Sequence, residues 1–323
     1  MLAHFAVFSF FSIFFGDLSG DLSGALAPVP AVVDTGFIFI RVLASNNADR
    51  FHEPVCAIAV PIIRSLNPLK AKLARGELAA SMTVRLVSSV EIVRIAKTAG
   101  FDAIYIDLEH SAFSIETTCQ ISVMALEAGV PALVRVPARA PEYISRVLDG
   151  GALGVIAPGV RSAAEARSVV AAAKYPPLGA RGMSTGLAHL GFRSVPAKEA
   201  LPKMNQATMV IVQLESAAGL AAIEDIVAVE GVDLVLIGTN DFLADLGRPG
   251  EYDHPKVREA YERTIAACRK HGKHAGVGGL SSRPDLVQQF VSMGARFVST
   301  GTDLGFLLAA CMERAKQVRS LKL

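Results

Sequence analysis

The sequence lacks any cysteine pair at ligand spacing, any block of like charge, and any apolar run long enough to cross a bilayer. Its four cysteines, Cys56, Cys119, Cys268 and Cys311, are far apart, and none belongs to a CxxC or zinc-knuckle pattern. That excludes a zinc ribbon and a disulfide scaffold, and it suits a reduced, cytoplasmic setting. Cys119, Cys268 and Cys311 fall on the apolar faces of predicted helices, where a free thiol packs as a small hydrophobe. The formal charge is only +2, with 32 basic and 30 acidic residues interspersed. No basic stripe exists to neutralise phosphates, so a nucleic-acid partner is excluded.

The apolar run from Phe5 to Phe15 falls short of the roughly 20 residues that a spanning helix needs, so no membrane partner is expected. It has the length of a signal-peptide core, and Ala25-Leu-Ala27 resembles a cleavage site, which would make the chain exported. No Lys or Arg precedes the run, so the positive start of a signal peptide is missing. A signal, a poorly ordered extension and a mis-set translation start are the alternatives for residues 1–66. Residues 32–67 carry further apolar patches without clear periodicity.

What the chain does have is apolar content of 51% against 19% charged residues, enough for a sizeable core. From Asn67 onward, strand-like and helix-like segments alternate. Strands are expected at 81–87, 102–106, 132–136, 153–157, 208–214, 233–237, 275–278 and 296–299, as short Val- and Ile-rich runs typical of buried parallel strands. Helical patterns at 88–98, 115–127, 141–148, 163–174, 217–229, 254–271, 282–293 and 304–323 lie between and after them. Gly100, Gly129, Gly150, Gly231, Gly272 and Gly294 mark helix ends. Eight β-α units over residues 67–323 predict a (β/α)8 TIM barrel, a fold of typically ~250 residues. A doubly wound open sheet is the second choice, although no G-x-G-x-x-G follows the first strand.

In such a barrel the carboxyl ends of the strands share one face, where catalysis sits. Strand two ends in Ile106-Asp107-Leu-Glu-His110, strand three in Val134-Arg135-Val-Pro137, strand five in Gln213-Leu-Glu215 and strand six in Gly238-Thr-Asn-Asp241. Glu215 and Asp241 therefore converge, and two carboxylates with no thiolate or imidazole beside them favour a hard cation such as Mg2+ or Mn2+, with Co2+ as a further candidate. A 2-oxo acid could chelate such a cation through two oxygens. The turn after Gly238 offers free N–H groups to its carboxylate. His110, beside Asp107 and Glu109, has the acidic neighbours that a general base needs. Arg135 either pairs with a carboxylate for structural reasons or neutralises a developing oxyanion. His254, His271 and His274 flank the helix before strand seven, at the opposite end, and are read as structural.

These segments, together with Leu133-Val-Arg-Val-Pro137, Val212-Gln-Leu-Glu215 and the long stretch Tyr175-Pro-Pro-Leu-Gly-Ala-Arg-Gly182, occur in an order that resembles the class II pyruvate aldolases of the HpcH/HpaI family. The resemblance covers about residues 67–320 and implies a homohexamer that exchanges its last helix between subunits. It implies Glu215 and Asp241 as metal ligands, His110 as base and Arg135 as the residue that steadies an enolate oxygen. Gln213, Asn240 and Asp241 match substrate contacts, and Asp107 belongs to the catalytic group. Asp149 matches a carboxylate that tunes the histidine of a neighbouring subunit, and Arg181 is expected at the aldehyde or distal acid end. The implied reaction is reversible cleavage of a 4-hydroxy-2-oxo acid to pyruvate and an aldehyde. The alternatives are oxaloacetate decarboxylation, enolate trapping of the macrophomate-synthase kind, and a barrel retained without turnover. Two departures stand out: Gly238-Thr-Asn-Asp241 replaces a usual Gly-Pro-Ala-Asp or Gly-Pro-Ser-Asp. A tryptophan common near the end of strand one is also absent, with Val84 or Arg85 in its place and no Trp anywhere.

Overall fold

A computed structural model describes residues 67–184 and 186–322. The expectations for residues 1–66, Cys56 among them, lie outside the described residues. The eight strands are β1 (Ala79–Val84), β2 (Ala103–Asp107), β3 (Ala132–Arg135), β4 (Gly154–Ala157), β5 (Met209–Leu214), β6 (Leu234–Gly238), β7 (His274–Gly278) and β8 (Phe297–Ser299). Each pairs in parallel with the next, and β8 closes on β1 to complete the barrel. The open-sheet alternative is thereby excluded. Among the described residues no helix is long and apolar enough to cross a membrane.

Alternation along the strands sorts side chains into two cores. One parity points outward and packs under the helices, as with Ile104, Ile106, Val134, Val155, Val210 and Val235. The other points inward, where Ala103, Tyr105, Leu133, Ile156, Met209, Ile211, Leu234, Leu236 and Phe297 fill the barrel. A first helix, α1 (Pro68–Ala74), closes the amino end of the barrel by inserting Leu69 and Leu73 into that inner cluster. Each of these leucines stabilises the fold by about 1.5–3 kcal/mol through burial. Asn67 fixes α1 in place: its side chain caps Leu69 N–H and donates to the Leu153 and Ala207 carbonyls.

Inward parity has a direct consequence for the opposite mouth. Counting on by twos from Tyr105, Leu133 and Ile211 brings Asp107, Arg135 and Gln213 to the inside at the carboxyl end. The polar residues of the mouth are thus the last layer of the barrel interior.

Helix boundaries differ from expectation where local chemistry overrides the pattern. The expected helix over 217–229 divides into α7 (Ala217–Ala221) and α8 (Ile223–Val227), with Gly219 packed where a Cβ would stand 2.8 Å from Leu214 and the Val160 carbonyl. An unanticipated helix, α6 (Ala197–Ala207), carries Pro202 inside it, the residue that argues against a helix in sequence. The helix α10 (Pro255–Lys270) starts at His254, whose Nδ1 accepts the Lys256 N–H. His254 therefore stands on the strand-end side, a correction to its placement at the opposite end. His271 bonds Glu224, and His274 opens β7. Of the three cysteines among the described residues, Cys268 is buried and Cys119 half-buried, as an apolar role requires. Cys311 is exposed on the last helix, α12 (Asp303–Arg319).

The loop before α6 buries His189 against the Ala152 carbonyl at 3.0 Å. Burial pushes its pKa down from 6.5 to about 4. The unfolded chain then binds a proton between pH 6.5 and 4 that the folded chain refuses, so stability falls as pH falls through this window. The expected contribution approaches about 3 kcal/mol. Thermal melts at pH 7 and pH 4.5 should show a steeper acid loss for the natural protein than for His189→Gln, which keeps a donor but cannot ionise.

Candidate active site

At the carboxyl mouth a cavity of about 310 Å3 is lined by Thr83, Arg85, Tyr105, Asp107, His110, Arg135, Gln213, Asn240 and Asp241, together with Gly278, Gly279, Ser281 and residues 299–302. Its most ordered part comes from the pairing of Asp107 with Arg135 across β2 and β3. Arg135 donates from Nε to Asp107 Oδ1 at 3.0 Å and from Nη2 to Oδ2 at 2.7 Å, a two-pronged ion pair. Its Nη1 reaches Glu109 Oε2 at 2.9 Å, and the guanidinium carbon lies 5.6 Å from the Tyr105 ring centre. Burial alone would push the Asp107 carboxyl up. Arg135 and the N–H groups of Glu109 and His110 outweigh it and hold Asp107 below its ordinary value.

These contacts change the reading of Asp107. It fixes Arg135 and the loop backbone, whereas the carboxylate nearest the His110 ring is Glu109, 3.9 Å from Nε2. Glu109, raised above its ordinary pKa chiefly by burial, had been noted in the sequence only as a neighbour. Arg135 is paired with carboxylates, as its structural reading required, and it also lines the cavity. His110 is about half exposed within one chain.

Glu215 follows β5 and accepts the Gly159 N–H at 2.7 Å. Burial first, and the charge of Asp241 second, push its pKa up to about 7. Its side chain fits because Gly238 ends β6: a Cβ there would stand 2.8 Å from Glu215 Cγ and 2.9 Å from Gln213 Nε2. Glu215 also borders a second cleft of about 290 Å3 with Glu109, Arg139 and Pro158. Asn240 and Asp241 sit in the first turn of α9 (Thr239–Asp245), which begins directly after β6. Thr239 anchors that turn by bonding the Tyr261 hydroxyl and the Gly278 carbonyl, and Asn240 Oδ1 accepts from Tyr252 at 2.8 Å.

Whether these residues suit a divalent cation can be judged from the donors. Among the described residues no three His, Cys, Asp or Glu form a ready cage, which argues against an all-protein site of the zinc kind. Two mutually repelling carboxylates with open neighbours suit a cation that keeps water and substrate oxygens. The buried Gln213 Oε1, which has no hydrogen-bond partner among the described residues, adds an oxygen from a residue that lines the cavity. The donor set fits.

Two residues are not brought to this cavity. Arg181 is fully buried, donates to Asp149 and stacks over Tyr175 at 4.7 Å. Its expected position at the aldehyde or distal acid end is therefore corrected, because the Tyr-Pro-Pro stretch folds back against helix α4 (Pro141–Asp149) instead of over the mouth. Asp149 ends α4, which returns the chain to the amino end of β4, so it cannot meet the His110 of its own barrel.

Comparison with known proteins agrees with this geometry. The HpcH/HpaI aldolase/citrate lyase family profile matches residues 85–310. A 4-hydroxy-4-methyl-2-oxoglutarate aldolase of Hapsidospora irregularis is 38% identical over 260 residues, which cover 80% of this chain and 96% of that protein. A 2-keto-3-deoxy-L-rhamnonate aldolase of Escherichia coli is 34% identical over 257 residues, 79% of this chain and 94% of that one. The crystal structure of an HpcH/HpaI aldolase from Desulfitobacterium hafniense superposes with a TM-score of 0.74 at 33% identity, over 79% of this chain and 97% of that structure.

Proposed function

Because the chain belongs to the HpcH/HpaI aldolase/citrate lyase family, we propose that it is a carbon–carbon lyase that reversibly cleaves a 4-hydroxy-2-oxo acid to pyruvate and a second carbonyl compound. The observation that carries this reading is one cavity walled by His110, Arg135, Gln213 and Asp241, with Glu215 behind Gly238. Glu215 and Asp241 would hold a divalent cation, Mg2+ or Mn2+ before Co2+, which supplies Lewis-acid neutralisation of charge developing on the 2-oxo oxygen.

The chain's own groups account for the rest. His110 accepts the proton of the C4 hydroxyl, the oxygen's electrons form the new carbonyl, and the C3–C4 pair moves toward C2 as the bond breaks. The free N–H groups of Arg135, held in place by Asp107 and Glu109, face the enolate oxygen. They cost no reorganisation when charge appears there. Protonation at C3 then yields pyruvate. Gln213 and Asn240 orient the 2-oxo acid.

The chain acts as a homo-oligomer, and a hexamer is the assembly proposed. Helix α12 leaves Phe306, Leu307, Leu308, Met312 and Val318 about half or more exposed, a contiguous apolar patch of the kind that marks an interface. A second copy covers it, and the partly exposed Asp149, held on one oxygen by Arg181, then orients the catalytic histidine of a neighbour.

Pyruvate release from a set of 4-hydroxy-2-oxo acids, coupled to NADH oxidation by lactate dehydrogenase, tests the reading. Cleavage with equal yields of pyruvate and the partner carbonyl is expected. Decarboxylation of oxaloacetate without cleavage of any 4-hydroxy-2-oxo acid would replace it with the decarboxylase reading.

A further inference from the structure

We propose that Arg85 is the specificity-determining residue of this site and selects 4-hydroxy-2-oxo acids that carry a second carboxylate beyond C4; this rests on the aldolase reading above. Arg85 is the first residue after β1 and lines the same cavity as Arg135 and His110.

Its backbone is fixed. The N–H groups of Arg85, Leu86 and Val87 all donate to the Asp303 carboxylate, at 3.1, 3.0 and 2.8 Å. Asp303 is itself buried at the start of α12. That carboxylate is occupied by backbone and leaves the Arg85 guanidinium unneutralised. The side chain instead donates from Nη2 to the His110 carbonyl at 2.9 Å. Among the described residues no carboxylate pairs with it.

The contrast with Arg135 decides the role. The Arg135 charge is matched by Asp107 and Glu109. Arg85 lines the same cavity with no carboxylate in contact with its guanidinium among the described residues. A guanidinium without a carboxylate partner is a strong recogniser of carboxylate, because its planar fork takes two oxygens at once.

Topology sets which end of the substrate it meets. In a closed barrel of eight strands β1 stands across from β5, the strand that delivers Glu215. His110 follows β2 and contacts Arg85 through its carbonyl. A substrate whose 2-oxo acid end lies at Glu215 and Asp241 passes its C4 hydroxyl by His110 and extends its far end toward Arg85. A carboxylate there, one or two bonds past C4, gives that guanidinium the direct acidic partner it lacks. The released carbonyl fragment is then itself an oxo acid.

The test compares kcat/KM of the full-length natural enzyme and of Arg85→Gln on two substrates. One is 4-hydroxy-4-methyl-2-oxoglutarate, with a carboxylate on C4, and the other is 2-keto-3-deoxy-L-rhamnonate, with an uncharged hydroxylated tail. The natural enzyme should prefer the dicarboxylate. Arg85→Gln should lower kcat/KM for the dicarboxylate by about 10- to 100-fold, mainly through KM, and leave the uncharged substrate within about threefold. Arg85→Lys should recover part of the loss, which separates lost charge from misfolding. Equal losses on both substrates, or no loss on either, would overturn the role of Arg85 while leaving the aldolase reading intact. Failure of the natural enzyme to cleave either substrate would instead remove the aldolase reading on which the inference stands.

Discussion

Glu215→Gln should abolish pyruvate release, with a loss of at least about 10³-fold in kcat, while the protein folds as well as before. The size follows from the role proposed for the carboxylate: without its charge a divalent cation would lose one of its two proposed protein ligands, and a developing enolate would lose its main counter-charge. The stability argument runs in the opposite direction. Burial and Asp241 raise the Glu215 pKa from 4.5 to about 7, so the folded state holds a proton that the unfolded chain releases between these values. Stability of the chelator-treated protein should therefore decline as pH rises from 4.5 to 7, and the cost persists above 7. Glutamine keeps the size and the acceptor for the Gly159 N–H but carries no charge. Melting temperatures in EDTA at pH 8 should rise in Glu215→Gln by several degrees, and the gain should vanish near pH 4.5. A variant that is more stable and inactive is the signature of a group kept for function.

Arg135 gives the second large effect, and here stability and activity should fall together. Asp107 is 1% exposed and receives Arg135 on both its oxygens. Removing the guanidinium in Arg135→Ala strands a buried carboxylate, at an expected cost of about 3–5 kcal/mol. Arg135→Lys keeps the charge but not the fork, so a smaller loss of stability and a fall in kcat/KM of about 10²- to 10³-fold are expected. The double variant Asp107→Asn/Arg135→Met separates the two roles. It removes the buried Asp107 charge and leaves only Glu109, which is partly exposed, without its guanidinium, so denaturant melts should show part of the stability restored. Turnover should stay at the level of Arg135→Met alone, because nothing replaces the contact with the enolate oxygen. Recovery of turnover in the double variant would mean that Arg135 serves only to neutralise Asp107.

Much of this site was legible in the sequence because the barrel turns a linear position into a spatial one. Short Val- and Ile-rich runs identify the strands, and their last residues must share a mouth. Asp107, Arg135, Gln213, Glu215 and Asp241 follow from that rule alone. Other features required the folded chain. Asp107 and Glu109 are two residues apart, and only the register of β2 against β3 decides which of them grips Arg135 on both oxygens and which also faces His110. Arg85 follows a strand whose expected limits, 81–87, overran its end at Val84, so its place at the mouth was hidden within the strand. Arg181 misled because a motif placed it near the site in sequence, whereas the Tyr175 to Gly182 stretch turns back to Asp149. Helix α6 was concealed by Pro202.

The central claim is that Glu215 and Asp241 make this barrel a cation-dependent pyruvate lyase. The most direct measurement is the rate of pyruvate release from 4-hydroxy-4-methyl-2-oxoglutarate by the chelator-stripped protein as Mn2+ or Mg2+ is titrated back. The account predicts a rate near background after stripping, saturable recovery with added cation, and no recovery in Glu215→Gln at the same concentrations. Undiminished turnover after stripping, or equal recovery in Glu215→Gln, would contradict it.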